Sequence, residues 1–187
     1  MGKLRLIVKE PQAILRNEAK EVHIKDITGS KIKALVLDMK KTLASTSDGV
    51  GLAAPQVGES LRIFIVSEEA EEIDKVSRES EKRYFRTEDE DKKRKPYEER
   101  KWKYYVFINP IIKKISRRKI EGPEGCLSVP GKFGLVARSE KITVEAHDEH
   151  GKKFTRGASN FFARVMQHEL DHLKGTLFID KTREYLK

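Results

Sequence analysis

Two histidines one helical turn apart, with a glutamate beside the first, constrain this sequence more than any other feature. They lie in the segment His168-Glu169-Leu170-Asp171-His172. On an α-helix, residues four apart share a face, so both imidazoles can bind one metal ion. The Glu169 carboxylate would then lie close enough to act on a water molecule at that metal. The alternative is a pair of buried, hydrogen-bonded histidines, with Glu169 paired to a basic side chain.

The surrounding residues predict that this helix is buried over much of its surface. It should begin near Ser159, a residue type that caps helix N-termini, and end before Gly175, a common helix stop. Two neighbouring lines of side chains run along it, Phe161, Val165, His168 and His172 on one and Phe162, Met166, Leu170 and Leu173 on the other. Buried imidazoles and carboxylates need polar partners, and a metal ion provides them.

Cys126, the only cysteine in the chain, is the candidate third ligand. A thiolate binds zinc or ferrous iron well, and one Cys with two His leaves a fourth position for water. A lone cysteine is more often a small buried apolar residue. Glu124 would be an unusual neighbour for that role, and Gly125 permits close backbone approach. A single cysteine also excludes an intrachain disulfide.

A third segment, residues 49–58, is rich in glycine and alanine. It lacks the Lys-Ser/Thr of a phosphate-binding loop, which leaves a plain tight loop or a bare backbone strip that lies against a peptide substrate. Its one amide side chain, Gln56, can donate a hydrogen bond to an oxyanion.

Three segments in this order resemble the signature motifs of the peptide deformylases: GVGLAAPQ (residues 49–56), EGCLS (residues 124–128) and QHELDH (residues 167–172). The similarity extends from about residue 10 to residue 180. It implies an α+β fold over residues 1–187, a single catalytic domain with antiparallel β-sheets packed around a central HExxH-bearing helix. It also implies hydrolysis of the N-formyl group from the N-terminal formylmethionine of newly synthesised proteins, with release of formate.

The resemblance assigns roles to individual residues. It implies one divalent metal ion, with ferrous iron (Fe2+) as the native metal and zinc, nickel or cobalt able to substitute. The implied metal ligands are Cys126, His168 and His172. Glu169 would transfer the proton, while Gln56 and the backbone N–H of Leu127 would stabilise the oxyanion.

The substrate would contact residues on the histidine face of the helix and in the two other motifs. The candidates are Val50, Phe161 and Val165 for the methionine side chain, and Gly51 and Gly125 for the peptide backbone. Arg138 follows the cysteine motif in a strand-like segment, where it either pairs with Glu124 or is an ordinary exposed arginine.

Two other classes of protein share parts of this pattern. An HExxH endopeptidase would normally use a third His or Glu ligand, not Cys126. A ribosome-associated binding module with a structural metal would be marked by the loss of Glu169 or Gln56, and both are present.

Residues 68–103 depart from the family pattern. Acids and bases nearly balance in this stretch, and apolar residues are sparse. Ala70, Ile73 and Val76 form a faint helical stripe, which Pro96 would interrupt. We interpret the stretch as an inserted charged helical excursion, solvated and partly disordered, with a docking surface as the alternative.

Hydrophobic periodicity and turn residues predict the remaining elements. We expect a helix over residues 30–47 and a strand over residues 61–67. A second strand, residues 104–108, should be stopped by Asn109-Pro110. Later strands should follow at residues 135–137 and 141–146 and near Phe154, with a turn at residues 147–151.

The formal net charge of +9 predicts attraction to anionic partners, with the ribosome as a weak candidate. No zinc-finger spacing or aromatic-rich basic strand suggests specific DNA binding. Residues 1–10 contain no apolar leader, and no run is long enough to span a membrane. We therefore expect a cytoplasmic protein, with an organellar form that has lost a transit peptide as the alternative.

Overall fold

The structure of the protein, a computed structural model, describes residues 2–80 and 103–186, with side chains for all of these except residues 75–80. Within these ranges the chain forms the helices α1 (Ser30–Ala44), α2 (Glu69–Ser80) and α3 (Asn160–His172). The strands are β1 (Gly51–Ala53), β2 (Ile63–Ser67), β3 (Tyr104–Ile115), β4 (Lys119–Cys126), β5 (Val129–Ser139), β6 (Lys141–His147), β7 (Lys153–Ser159) and β8 (Glu184–Leu186). No helix in this part of the chain is long and apolar enough to cross a membrane.

The strands form two antiparallel sheets, which confirms the predicted α+β class. The larger sheet has the order β1-β2-β3-β6-β7 and the smaller one the order β4-β5-β8. All neighbouring strands in both sheets run antiparallel. The cysteine motif therefore ends a strand of the small sheet, and the histidine motif lies on α3.

The larger sheet is covered on both faces, and β2 shows why. Its residues alternate between two cores, with Phe64 and Val66 beside α3 and Ile63 and Ile65 beside α1. A strand buried on both sides needs a continuous apolar run, which explains the sequence Ile-Phe-Ile-Val. Full burial of each such side chain contributes about 1.5–3 kcal/mol to folding. The helix that carries the two histidines is therefore fixed against a packed sheet.

The predicted burial of α3 is confirmed. Phe162, Met166 and Leu170 are each at most 3% exposed and belong to the core beneath the sheet. The helix over residues 30–47 is also confirmed, although α1 ends at Ala44. The strand predicted at residues 61–67 corresponds to β2.

The prediction that Asn109-Pro110 stops the second strand is wrong. β3 continues to Ile115, with a register shift against β6 between Ile108 and Ile111. Asn109 adopts a left-handed φ of 51° at this irregularity. Its side-chain amide accepts from the N–H of Val22 and donates to the Val22 carbonyl. A β-bulge thus accommodates Pro110, which has no N–H to donate to the hydrogen bonds between β3 and β6.

Two strands near the site were not recognised as strands from the sequence. β4 contains Gly122, Pro123 and Gly125, which are residues that disfavour a strand interior. They are tolerated because β4 is an edge strand of the small sheet. β1 is a three-residue edge strand of the large sheet, formed by Gly-Leu-Ala.

The interpretation of residues 68–103 as a solvated extension is wrong at the start of the stretch. The helix predicted there is present, but α2 is docked on the protein. Ala70 is fully buried in the core beside α3. Residues 81–102, Pro96 among them, lie outside the described residues.

Candidate metal centre

The structure brings the three predicted ligands together from two elements. Cys126 ends β4, whereas His168 and His172 lie on one face of α3. One donor atom from each residue lies within 4.8 Å of the other two. The Cys126 sulfur is 3.2 Å from Nε2 of His172. A sulfur and two imidazole nitrogens in this arrangement form the donor set of a zinc or ferrous iron site.

Glu124 fixes the orientation of the first histidine. Its carboxylate lies 3.0 Å from Nδ1 of His168, which leaves Nε2 as the nitrogen for a metal. The guanidinium of Arg138 donates two hydrogen bonds of 2.8 Å to the same carboxylate. Burial alone would raise the pKa of Glu124, but Arg138 and His168 outweigh it and lower that pKa to about 2. The predicted pairing of Arg138 with Glu124 is therefore confirmed.

A second buried arginine, Arg164 of α3, was missed by the sequence reasoning. It donates 2.7 Å hydrogen bonds to the carbonyls of Ile120 and Val136 and a 2.9 Å bond to Glu124. It thereby ties α3 to both β4 and β5. The available signal was an arginine between Ala163 and Val165 on a helix predicted to be buried, because a buried arginine needs several acceptors.

Asp171, between the two histidines in sequence, belongs to the same ionic network. Its carboxylate accepts hydrogen bonds from Arg138 and from Lys181. Two basic side chains thus pair with this carboxylate, and Asp171 does not line the cavity beside the three predicted ligands. This placement separates Asp171 from Glu169, although the two lie close together in sequence.

Glu169 is buried beside the three ligands. It is 3% exposed, and its Oε2 has no hydrogen-bond partner among the described residues. Burial raises the pKa of this carboxyl to about 7. A side chain at position 51 would overlap the Glu169 carboxylate, which explains why glycine stands there. A buried carboxylate with a free oxygen and a raised pKa is suited to proton transfer near neutral pH.

Gln56 is held with its NH2 group towards the cysteine. Its side-chain oxygen accepts from the N–H of Ala53 at 2.8 Å. Its nitrogen donates to Ser128 Oγ at 3.2 Å and lies 3.5 Å from the Cys126 sulfur. The amide is 2% exposed, so this orientation is fixed by its surroundings.

A cavity of about 400 Å³ opens beside these groups. It is lined by all five predicted substrate residues, and also by Gln56, Cys126, Leu127, His168 and Glu169. His172 does not line it and is 1% exposed. The lining also includes residues that were not singled out from the sequence, among them Lys9, Asp48, Lys132 and Phe133. Phe133 packs so closely on Gly125 that a Cβ there would lie 2.7 Å from its ring.

The electrostatics of the cluster fit a bound cation. Burial lowers the pKa of His172 well below its usual value, so this imidazole is neutral and can act as a ligand. Burial also opposes protonation of His168, but the Cys126 sulfur and the Glu124 carboxylate raise its pKa to about 10. Positive charge is therefore favoured at His168, beside the sulfur and the Glu124 carboxylate, and a divalent metal would supply it.

Comparison with known proteins gives one consistent result. The family model for polypeptide deformylase matches residues 4–187. Peptide deformylase from Borreliella burgdorferi is 37% identical over 177 residues, which cover 95% of this chain and 87% of that protein. Peptide deformylase 1A, chloroplastic/mitochondrial, from Arabidopsis thaliana is 35% identical over 94% of this chain. The chain spans 60% of the Arabidopsis protein and 65% of a Symbiobacterium thermophilum relative that is 38% identical.

Solved structures agree with this assignment. A Met-Ala-Ser-bound class I type b peptide deformylase from Acinetobacter baumannii matches with a TM-score of 0.75 at 29% identity, over 97% of this chain and 99% of that one. A peptide deformylase from Legionella pneumophila matches with a TM-score of 0.72 at 34% identity, over 95% and 85% of the two chains. Peptide deformylases are metal-dependent hydrolases of protein biosynthesis that deformylate N-terminal formylmethionine. From its sequence and its fold alike, this chain belongs to the peptide deformylase family.

Proposed function

We propose that this chain removes the N-formyl group from N-formylmethionyl nascent peptides and releases formate, with residues 1–187 acting as one catalytic domain. One observation carries the proposal. A sulfur and two imidazole nitrogens converge near the buried carboxylate of Glu169, whose Oε2 has no hydrogen-bond partner among the described residues. The sulfur, His168 and Glu169 line a cavity of about 400 Å³.

The cofactor we propose is one divalent ion held by Cys126, His168 and His172, with Fe2+ as the native metal. Zinc, nickel or cobalt should be able to replace it, since a mixed sulfur and imidazole donor set accepts all of these ions. When bound, such an ion lowers the pKa of an attacking water molecule and polarises the formyl carbonyl.

Glu169 is the proposed general base and acid. Its unpaired Oε2 accepts a proton from the attacking water, and the resulting hydroxide adds to the formyl carbon. Glu169 then donates that proton to the departing amine as the C–N bond breaks. The products are formate and a peptide with a free N-terminal methionine, so atoms and charge balance.

Gln56 and Leu127 are the proposed oxyanion donors. The NH2 group of Gln56 points towards the cysteine, and Leu127 follows Cys126 directly in the cavity lining. Two N–H groups on this side of the cavity would stabilise the negative charge that develops on the formyl oxygen. The side chain of Gln56 needs no reorganisation to do so, since its oxygen is already held by Ala53.

The substrate backbone fits between two sheet edges. Gly51 lies in β1 and Gly125 in β4, which are edge strands of the large and the small sheet. An extended peptide can pair with the unpaired backbone groups of such an edge. Its methionine side chain would then enter the apolar part of the cavity, lined by Val50, Phe161 and Val165.

The proposed activity predicts formate release from formyl-Met-Ala-Ser by protein purified without oxygen. Acetyl-Met-Ala-Ser, and the internal bonds of peptides with a blocked N-terminus, should be cleaved at least about 10²-fold more slowly. The reason is that the carbonyl carbon attacked by water must fit against the metal ligands. Metal analysis of the same sample should give about one divalent ion per chain. Efficient cleavage of internal peptide bonds would instead identify an HExxH endopeptidase.

The identity of the metal predicts a difference in oxidative stability. A thiolate ligand with ferrous iron is sensitive to oxidation. Iron-loaded protein should therefore lose activity in air much faster than nickel- or zinc-loaded protein. Equal half-lives for the three forms would contradict the expected oxidation of a thiolate-bound ferrous ion.

We further propose a cytoplasmic location and a weak ribosome contact. Exposed basic residues cluster at the connection between β3 and β4: Lys113, Lys114, Arg117, Arg118 and Lys119. Phosphate contacts of this kind weaken steeply as salt rises. Co-sedimentation with ribosomes should therefore be lost at high salt and on exchange of Arg117 and Lys119 for Glu. The same exchange at the exposed Lys25 and Lys33 is the control, and equal loss there would contradict a specific surface.

A further inference from the structure

The first turn of α3 is capped by a residue that lies far away in the sequence. The carboxylate of Asp74, in α2, accepts the N–H of Phe161 at 2.9 Å and the N–H of Phe162 at 3.0 Å. Ser159, the residue expected to cap this helix, makes no capping hydrogen bond through its side chain. Asn160 adopts a left-handed φ of 51° at the start of the helix. The carboxylate thus satisfies two N–H groups that a helix N-terminus leaves without internal partners.

A second carboxylate of α2, one turn before Asp74, holds α2 against the sheet. Glu71 accepts a 2.7 Å hydrogen bond from the hydroxyl of Tyr105 and a further bond from Arg156. The guanidinium of Arg156 lies 4.6 Å from the Tyr105 ring centre and 5.6 Å from that of Phe162. α2 is therefore attached to β3, β7 and the start of α3 through charged groups as well as through the buried Ala70.

The capped residue Phe161 is a wall between two cavities. It lines the cavity at the metal ligands, and it also lines a neighbouring cavity of about 400 Å³ together with Asp74 and Arg118. Phe161 is partly exposed, in contrast to Phe162, which is 2% exposed. Phe161 packs against the core that contains α3, but the two cavities also border it, so packing alone does not fix this ring. Its backbone is fixed by the hydrogen bond to Asp74.

We propose that Asp74 is a positioning residue for substrate binding, because it holds the first turn of α3 so that Phe161 closes the methionine pocket. The stretch at residues 68–103 then has a role in substrate binding, since Asp74 in its first turns supports Phe161, which lines the active-site cavity. This inference rests on the proposed role of Phe161 in the pocket.

Loss of the Asp74 cap should weaken substrate binding and leave the chemical step unchanged. Phe161 precedes His168 by seven residues, which is about two helical turns. His168 is oriented by Glu124, and Arg164 ties the middle of α3 to the small sheet. These contacts do not involve Asp74. Removal of the cap should therefore loosen the pocket wall while the metal ligands and Glu169 keep their places.

The test compares Asp74→Ala and Asp74→Asn in the metal-loaded full-length protein. The Ala variant should raise KM for formyl-Met-Ala-Ser about 2- to 30-fold, the factor that corresponds to the loss of a helix N-cap. The Asn variant keeps one acceptor oxygen, so its increase should be smaller. kcat should stay within about two-fold and metal content should be unchanged, as expected for lost binding. The preference for formyl-Met over formyl-Ala peptides should fall.

Asp38→Ala is the matched structural control. The Asp38 carboxylate also makes two bonds to a distant segment, from the N–H of Lys3 at 2.6 Å and from Arg5 at 2.8 Å, and it is outside both cavity linings. The Asp38→Ala variant should lower Tm without raising KM. An equal rise in KM for Asp38→Ala would reduce the effect to general destabilisation and overturn the inference.

Phe161→Ala separates this inference from the pocket assignment on which it rests. If Phe161→Ala raises KM and neither Asp74 variant does, the positioning role of Asp74 is wrong and the pocket stands. If Phe161→Ala leaves KM unchanged, the pocket assignment itself is wrong. A loss of metal in Asp74→Asn would also overturn the inference, because it would place the effect on the ligands.

Discussion

Exchange of Glu169 for glutamine is expected to reduce turnover of formyl-Met peptides by about 10²–10⁴-fold while metal and fold are retained. Glutamine preserves the size of the side chain but cannot accept the proton of the attacking water. The exchange should not lower Tm, because the Oε2 atom that it replaces has no hydrogen-bond partner among the described residues. Single-turnover formate release, metal content and thermal unfolding of the same preparation measure the three quantities.

Gln56→Ala provides the comparison for this variant. It removes one proposed oxyanion donor and should cost about 10²–10³-fold in kcat. If Glu169→Gln loses its metal, Glu169 is a ligand or supports one. If it retains both metal and near-normal turnover, another group is the base. Asp171 is a poor substitute, because Arg138 and Lys181 already occupy its carboxylate and it does not line the cavity.

The helix that carries the histidines was predictable from local pattern alone. Its apolar residues recur with helical spacing, and α3 buries the face that this spacing defines. The pair His168 and His172 needs only a regular helix to share a face. Local pattern therefore placed two of the three proposed ligands and Glu169 on one helix.

Cys126 became the candidate third ligand through its thiolate chemistry and the family resemblance, not through its place in the sequence. It lies 42 residues before His168, and β4, which brings it to the helix, contains Pro123 and two glycines that argue against a strand. The strand exists because its partner β5 supplies the ladder and because an edge tolerates proline. Sequence spacing alone could not have fixed this distance.

The residues that hold the site in place could be predicted from the sequence only in part. The pairing of Glu124 with Arg138 was suggested by a charged residue near Cys126 and an arginine on the strand-like segment that follows the cysteine motif. The cap from Asp74 joins residues 87 positions apart, within a stretch whose composition indicates solvation. A charge that serves one tertiary hydrogen bond has the same sequence signal as a charge that faces solvent. Only the packed structure distinguishes the two.

Removal of any one ligand should abolish metal binding and activity together, and Cys126→Ala is the most informative case. Cys126 meets the histidines only through tertiary structure, so the variant tests the assembled centre and not the helix motif. His168→Ala and His172→Ala should behave in the same way.

The control for Cys126→Ala is Glu124→Gln, which keeps all three proposed ligands and changes the carboxylate that orients His168 and pairs with Arg138 and Arg164. Loss of such a support weakens metal affinity by about 10- to 100-fold. At a metal concentration that saturates the weakened site, Glu124→Gln should regain its metal, whereas Cys126→Ala should not. Competition with a chelator, followed by metal analysis, measures both affinities. Near-stoichiometric metal in Cys126→Ala would show that the sulfur is not a ligand, and the proposed centre would then be wrong.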